Sequence, residues 1–124
     1  MSAKILVVED NKHNRTLLRY LLESRGYEVL EAADGASGIA CTRIQKPELI
    51  LMDLQMPVMD GYKAIRELKG DTMTKDIKII AVTSFAMKGD REKALAAGAD
   101  DYVSKPINTK ELPTLIKKIL GDKS

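Results

Sequence analysis

The sequence predicts an α/β fold, a doubly wound five-stranded parallel sheet with helices on both faces. Three observations predict it. Ile5-Leu6-Val7-Val8 and Leu49-Ile50-Leu51-Met52 are continuous apolar runs, as expected of strands buried on both faces. Both run straight into acid, Glu9-Asp10 and Asp53. Strand-like and helix-like stretches then alternate along the chain without a linker or low-complexity segment, which implies parallel strands joined by crossover helices. With 124 residues the chain reads as one domain, 1–124, large enough for one core.

Each element has a local reason. After the first strand, Asn11 or its neighbour caps a helix in which Leu17, Leu18, Leu21 and Leu22 are expected on one face, and Gly26 is placed to end it. Tyr27 to Ala32 reads as the second strand. Asp34-Gly35 is a turn, and Ala36 to Gln45 a helix with Ile39, Ala40 and Ile44 inward. Lys46-Pro47 stops that helix and launches the Asp53 strand, which Pro57 and Asp60-Gly61 break. Tyr62 to Lys69 is a short helix with Ile65 and Leu68 inward, and Gly70 to Asp76 a polar loop. Ile77 to Val82 is the fourth strand, ending in Thr83-Ser84. Gly89 to Ala97 is a helix closed by Gly98, poor in large apolar residues apart from Leu95. Asp101 to Ser104 is the fifth strand, followed by Lys105-Pro106. Asn108 opens the last helix, with Glu111 at capping-box spacing and a stripe of Leu112, Leu115, Ile116, Ile119 and Leu120. Pro113 conflicts with that start, because proline lacks the amide a helix interior needs. With five strands and right-handed crossovers, the flavodoxin-like order 2-1-3-4-5 is expected, with strands one and three side by side at the switch point.

Composition narrows the function. The chain is 44% hydrophobic and 31% charged, which excludes a disordered chain. Its net charge of +2 is too small to argue for nucleic acid. Cys41 is the single cysteine, so no internal disulfide forms. The opening apolar run is too short for a signal peptide or a membrane span. The protein is read as cytoplasmic, with no membrane partner.

The strand ends carry the chemistry. In the expected order Glu9 and Asp10, Asp53, Thr83 with Ser84, and Lys105 converge on one crevice, the edge of an open α/β sheet where ligands bind. Carboxylates that close together repel, by roughly 4 kcal/mol for a pair about 4 Å apart at an effective dielectric of 20. Either one keeps its proton or a cation joins them. Carboxylate oxygens without His or Cys favour Mg²⁺. A threonine hydroxyl and a lysine ammonium suit the oxygens of a phosphoryl group, and a carboxylate can itself accept that group. The residue types therefore point to Mg²⁺-assisted phosphoryl transfer onto a carboxylate.

Taken together, Glu9-Asp10, Met52-Asp53-Leu54-Gln55-Met56-Pro57 with Asp60-Gly61, Thr83-Ser84 and Lys105-Pro106 resemble the response-regulator receiver domains of bacterial two-component signalling. The resemblance spans nearly the whole chain and implies the 2-1-3-4-5 order, which the chemotaxis member of the family has. It implies that Asp53 accepts a phosphoryl group from a phosphohistidine of a histidine kinase or phosphotransfer protein. Asp10 would ligate Mg²⁺ directly, Glu9 through water, and the backbone carbonyl of Gln55 would be a further ligand. Thr83 would bind a phosphoryl oxygen and move, Lys105 would pair with the phosphoryl group, the Lys105-Pro106 bond would be cis, and Tyr102 matches the aromatic switch position. Gln55 and Phe85 occupy positions that tune dephosphorylation. The Glu-Asp order of the acidic pair, where Asp-Asp also occurs, is a departure.

The expected function is a phosphorylation-dependent switch and not an enzyme, with no output domain. It is read by a downstream protein target or by a second copy in a phosphorylation-dependent homodimer, through the face of helix four, strand five and helix five. The alternative is a receiver module excised from a hybrid kinase or larger regulator. A small Mg²⁺ phosphatase would want a second acid where Gln55 stands, and a binder of a phosphorylated cofactor would want a glycine- or hydroxyl-rich loop in place of Glu9-Asp10-Asn11. Plainer roles fit other residues. His13 reads as an exposed first-turn residue, Cys41 as a small packing residue, Met52, Met56 and Met59 as packing and loop residues, and Lys117, Lys118 and Lys123 as a solvated face and tail.

Overall fold

Among the described residues ten elements alternate strictly: β1 (Lys4–Val8), α1 (Lys12–Glu23), β2 (Glu28–Ala32), α2 (Gly35–Gln45), β3 (Leu49–Asp53), α3 (Gly61–Gly70), β4 (Lys78–Thr83), α4 (Asp90–Ala97), β5 (Asp101–Ser104) and α5 (Glu111–Leu120). The computed structural model describes residues 3–84 and 88–121; Phe85 and Lys123, named above, lie outside them. The five strands are parallel in the order β2-β1-β3-β4-β5.

The pleat sorts the core into two layers, because successive side chains of a strand point to opposite faces. Leu6, Val8, Ile50, Met52, Ile79 and Ala81 meet Ile39 of α2, Ile65 and Leu68 of α3, and Ala94 and Ala97 of α4. Ile5, Val7, Leu49, Leu51, Ile80 and Val82 meet Leu18 and Leu22 of α1 and Leu112 and Ile116 of α5. Every residue of β3 is buried, so Asp53 ends the most enclosed strand of the sheet. Cys41 packs half-buried against the first layer, and burial pushes its thiol pKa up. Met52 and Met56 are buried there and Met59 packs against it.

Several local readings change. Asn11 does cap α1, its side chain accepting from the Asn14 amide, but the helix ends at Glu23. Gly26 sits beyond, at φ +90 in the following turn. Leu18 and Leu22 face the sheet, while Leu17 is 55% exposed. In α2 only Ile39 of the expected trio is buried; Ala40 faces solvent and Ile44 is 76% exposed. Ile39 and Ile44 are five residues apart, about 140° around a helix, so they cannot share a face. The buried face is Gly35, Gly38, Ile39 and Thr42. Gly38 lets the helix close on the sheet, since a Cβ there would stand 2.9 Å from Val8 Cγ2.

Pro113 is accommodated because α5 begins at Glu111. It is the third helical residue, where a missing amide costs little. Asn108 still caps the segment from outside, its Oδ1 accepting from the amides of Lys110 and Glu111. Helix α4 is the least anchored. It buries only Ala94 and Ala97, has no side-chain N-cap bond at Gly89, and leaves Leu95 38% exposed. Lys93 stands over the Tyr62 ring, 4.3 Å from its centroid, and ties α4 to α3. Among the described residues no helix is long and apolar enough to cross a membrane.

Candidate functional site

Register brings the expected residues to one edge. Val8 pairs with Met52 and Asp53 with Val82, so Glu9 and Asp53 follow neighbouring strand ends. Thr83 lies one residue further along β4, paired with Ser104. The Lys105 amide donates to the Thr83 carbonyl at 2.7 Å, and the Lys105-Pro106 bond is cis.

Glu9, Asp10 and Asp53 offer carboxylate oxygens that lie within 4.8 Å of one another. Glu9 and Asp53 are buried, 2% and 3% exposed, and Asp10 faces solvent at the rim. Lys105 Nζ reaches between the buried pair, 2.5 Å from Glu9 Oε1 and 3.4 Å from Asp53 Oδ2. The Asp53 pKa is raised from 3.8 to about 7. Burial is the chief cause, followed by its hydrogen bond with Glu9 and the Glu9 charge; the Gln55 amide and Lys105 oppose. Burial also pushes Glu9 up, but its hydrogen bonds with Asp53, Lys105 and the Asn11 amide prevail and hold it below the ordinary range. The ammonium of Lys105 is disfavoured by burial yet held above its usual pKa by Glu9 and Asp53. One proton and one lysine thus offset the repulsion that the sequence implies. Three carboxylates facing one ammonium remain short of positive charge, and the all-oxygen donor set with an exposed third member fits a hydrated Mg²⁺.

Two contributors, Arg15 and Asn14, carry no signal in the sequence, and a third, Gln55, adds a contact the sequence does not show. Arg15, on the second turn of α1, donates to the carbonyls of Glu9 at 2.8 Å and Asp10 at 3.2 Å, and its other edge meets Glu31 of β2. It braces the loop that carries the acidic pair. Asn14 Nδ2 donates to Glu9 Oε1 at 3.4 Å. Gln55, expected as a carbonyl ligand and at a position that tunes dephosphorylation, also accepts through its side chain from the Thr83 hydroxyl at 3.2 Å and the Ser84 amide at 2.7 Å. None of these contacts has a sequence signal beyond proximity, because each depends on how one loop folds against another.

Thr83 is fully buried. It neighbours the phenol of Tyr102, whose pKa is raised by burial first and by the Asp90 charge next and is opposed by Thr83. Tyr102 is half-buried against the α3–α4 layer, so the site connects through Thr83 to the face bearing α4 and β5.

The fold and this edge define a doubly wound α/β domain whose carboxylates, threonine and lysine gather at the carboxyl ends of its strands, where such sheets bind their ligands. Comparison with known proteins makes this specific. Residues 5–117 match the response regulator receiver domain, and the chain belongs to that family. It is a receiver domain of two-component signalling, a phosphorylation-dependent switch. It is 41% identical over 122 residues to the polar-differentiation response regulator DivK of Brucella anthropi, covering 98% of this chain and 99% of that protein. DivK of Brucella ovis is similar to the same degree. The receiver domain of the sensor histidine kinase PA1611 from Pseudomonas aeruginosa aligns with TM-score 0.90 at 39% identity, covering 98% of this chain and 100% of that one; it holds a magnesium ion in its active-site cleft. Chemotaxis protein CheY4 of Vibrio cholerae aligns with TM-score 0.90 at 28% identity, over 96% and 99% of the two chains.

Proposed function

We propose that Asp53 is the phosphoryl acceptor, and that a histidine kinase or phosphotransfer protein is the donor. The observation that carries this is the position of Asp53: buried at the end of β3, with Lys105 Nζ 3.4 Å from its Oδ2 and two further carboxylates beside it. In the transfer, an Asp53 carboxylate oxygen forms a bond to phosphorus as the P–N bond to the donor histidine breaks. The imidazole nitrogen leaves and takes up a proton. Glu9, Asp10, Asp53 and the backbone carbonyl of Gln55 would hold Mg²⁺, which would offset charge on the phosphoryl oxygens. Lys105 neutralises the phosphoryl group from the β5 side, and the Gln55 amide, 3.1 Å from Asp53 Oδ1, orients the carboxylate. By these means the chain assists its own phosphorylation and dephosphorylation.

An open groove of about 540 Å³ runs beside Glu9 and Lys105, lined by Leu17, Leu18, Leu21, Pro106 and Ile107. It offers an apolar bed for a helix of the donor, and it accounts for the exposure of Leu17. Output is assigned to the face of α4, β5 and α5, read by a downstream protein or a second copy of the chain in the cytoplasm. Thr83 and Tyr102 lead to that face, and α4 has the smallest buried anchor. Weakly held elements are the ones that move on switching.

The test is incubation with a small phosphodonor and Mg²⁺, followed by mass mapping. Labelling is expected on Asp53 alone, lost with chelator and in Asp53→Ala. Labelling that survives either treatment refutes the proposal. Amide exchange on the same samples should change across residues 88 to 105.

Lys105→Met is expected to weaken binding of beryllofluoride, a phosphoryl mimic, by tenfold or more, since a charge-assisted hydrogen bond contributes about 1.5–3 kcal/mol. Calorimetry can measure this directly. Equal affinity in mutant and wild type would remove Lys105 from the phosphoryl site.

A further inference from the structure

The donors at the end of β4 are already engaged in the resting chain. Gln55 Oε1 accepts from the Ser84 amide at 2.7 Å and from the Thr83 hydroxyl at 3.2 Å. A backbone amide can only donate, so the Gln55 atom that faces both groups is the carbonyl oxygen. The backbone amide of the same residue donates to Asp53 Oδ1 at 3.1 Å. One residue therefore touches Asp53 through its main chain and the end of β4 through its side chain.

A phosphoryl group on Asp53 would present three acceptor oxygens. Lys105 is placed for one of them. Asp53 pairs with Val82, so the next donors along the neighbouring strand are the Thr83 hydroxyl and the Ser84 amide. Each has one hydrogen to give, and Gln55 Oε1 is placed to accept from both. A hydrogen shared between two acceptors serves neither at full strength, so phosphoryl oxygens can recruit these donors only by displacing the carboxamide.

Resting on the reading of Asp53 as acceptor, we propose that the Gln55 carboxamide is a resident placeholder for the phosphoryl group. It holds Thr83 and Ser84 in the unphosphorylated chain, and phosphorylation exchanges one acceptor for another. The exchange leaves no buried donor unsatisfied in either state, which would otherwise be costly at the fully buried Thr83. It runs forward because hydrogen bonds to a charged acceptor are roughly twice as strong as those to a neutral one. Thr83 also neighbours the Tyr102 phenol and bears on its pKa, and β4 pairs Thr83 with Ser104 of β5, so the exchange borders the α4–β5 face directly. Gln55 acts here as a positioning residue that sets the threshold of the switch.

Gln55→Met keeps the side-chain length and removes the acceptor. The test compares it with wild type by NMR amide exchange at Ser84 and by calorimetric titration with beryllofluoride in Mg²⁺. Without the mimic, the Ser84 amide of the variant should exchange about tenfold faster than that of wild type, for loss of a hydrogen bond. With the mimic bound the two should match, and the variant should bind it roughly three- to tenfold tighter, because no acceptor has to be displaced. A Ser84 difference that persists in the bound state, or binding that is unchanged or weaker, overturns the placeholder. If Gln55→Met does not fold, Gln55→Ala gives the same comparison. Wild-type binding and its loss in Asp53→Ala report separately on the acceptor. Failure there removes the functional reading itself, whereas normal wild-type binding without a gain in the Gln55 variant overturns the placeholder alone.

Discussion

Asp53→Asn is expected to end phosphoryl acceptance and, at pH 8 in chelator, to stabilise the fold by on the order of 3 kcal/mol. The folded chain keeps a proton on Asp53 up to about pH 7, while an unfolded aspartate releases its proton near about 3.9. Between those values the folded state binds the extra proton, so the contribution of Asp53 to stability falls as pH rises. Below the lower value there is no cost; above pH 7 the full cost of an ionised carboxylate beside Glu9 remains. Asparagine matches the shape and has no proton to lose. The gain should therefore be largest at pH 8, shrink toward pH 5 and disappear near pH 4. In thermal melts it should amount to roughly 10 °C at pH 8 for a domain of this size. An equal gain at pH 5 and pH 8, or a loss at pH 8, would contradict the burial and Glu9 repulsion that raise the Asp53 pKa.

The second large effect lies in the backbone. Gly61→Ala should destabilise the protein by about 3 kcal/mol or more and abolish Mg²⁺-dependent labelling. A Cβ on Gly61 would stand 2.3 Å from the Asp53 carbonyl oxygen, 2.7 Å from Leu54 Cα and 2.9 Å from the Asp53 carbonyl carbon. These are main-chain atoms of the central strand and cannot swing aside. The Gly61 amide donates to the Leu54 carbonyl at 3.1 Å, so the first turn of α3 cannot retreat without breaking that bond. Relief would have to come from moving the segment that carries Asp53. Gly70, the last residue of the same helix, has nothing within 4 Å of its would-be Cβ. Gly70→Ala should be neutral or stabilising by up to about 1 kcal/mol. Denaturant unfolding of the pair separates close approach from helix propensity, and comparable losses in both variants would refute the clash.

The architecture was legible because it follows from short-range pattern. Four-residue apolar runs separated by helical stretches read as doubly buried strands, and acids at their ends are least costly at an open edge. Together with the 2-1-3-4-5 order that the fold class and the family resemblance imply, that reasoning brings Glu9, Asp10, Asp53, Thr83 and Lys105 to one edge, and the structure sets them at neighbouring strand ends. It failed where burial depends on a neighbour and not on period. Ile44 looked inward by composition, but α2 has no apolar stripe, and it is Gly38 against Val8 that decides which side meets the sheet. Leu17 looked like core, yet it borders a groove completed by Pro106 and Ile107 from the far end of the chain.

The sequence by itself determined the order of elements, the all-parallel sheet and the identity of the groups that gather at its edge, since pattern and charge are properties of adjacent residues. Only the tertiary structure decided how those groups share their protons and hydrogen bonds. Asp53 keeps a proton up to about pH 7 because it is buried, with Glu9 beside it. Lys105 chooses Glu9 as the nearer partner. The Gln55 side chain turns to Thr83 and Ser84, nearly thirty residues away. Such choices depend on differences of an ångström between loops brought together by the sheet register. No periodicity encodes them, because the competing acceptors are distant in sequence and meet only when the fold is complete.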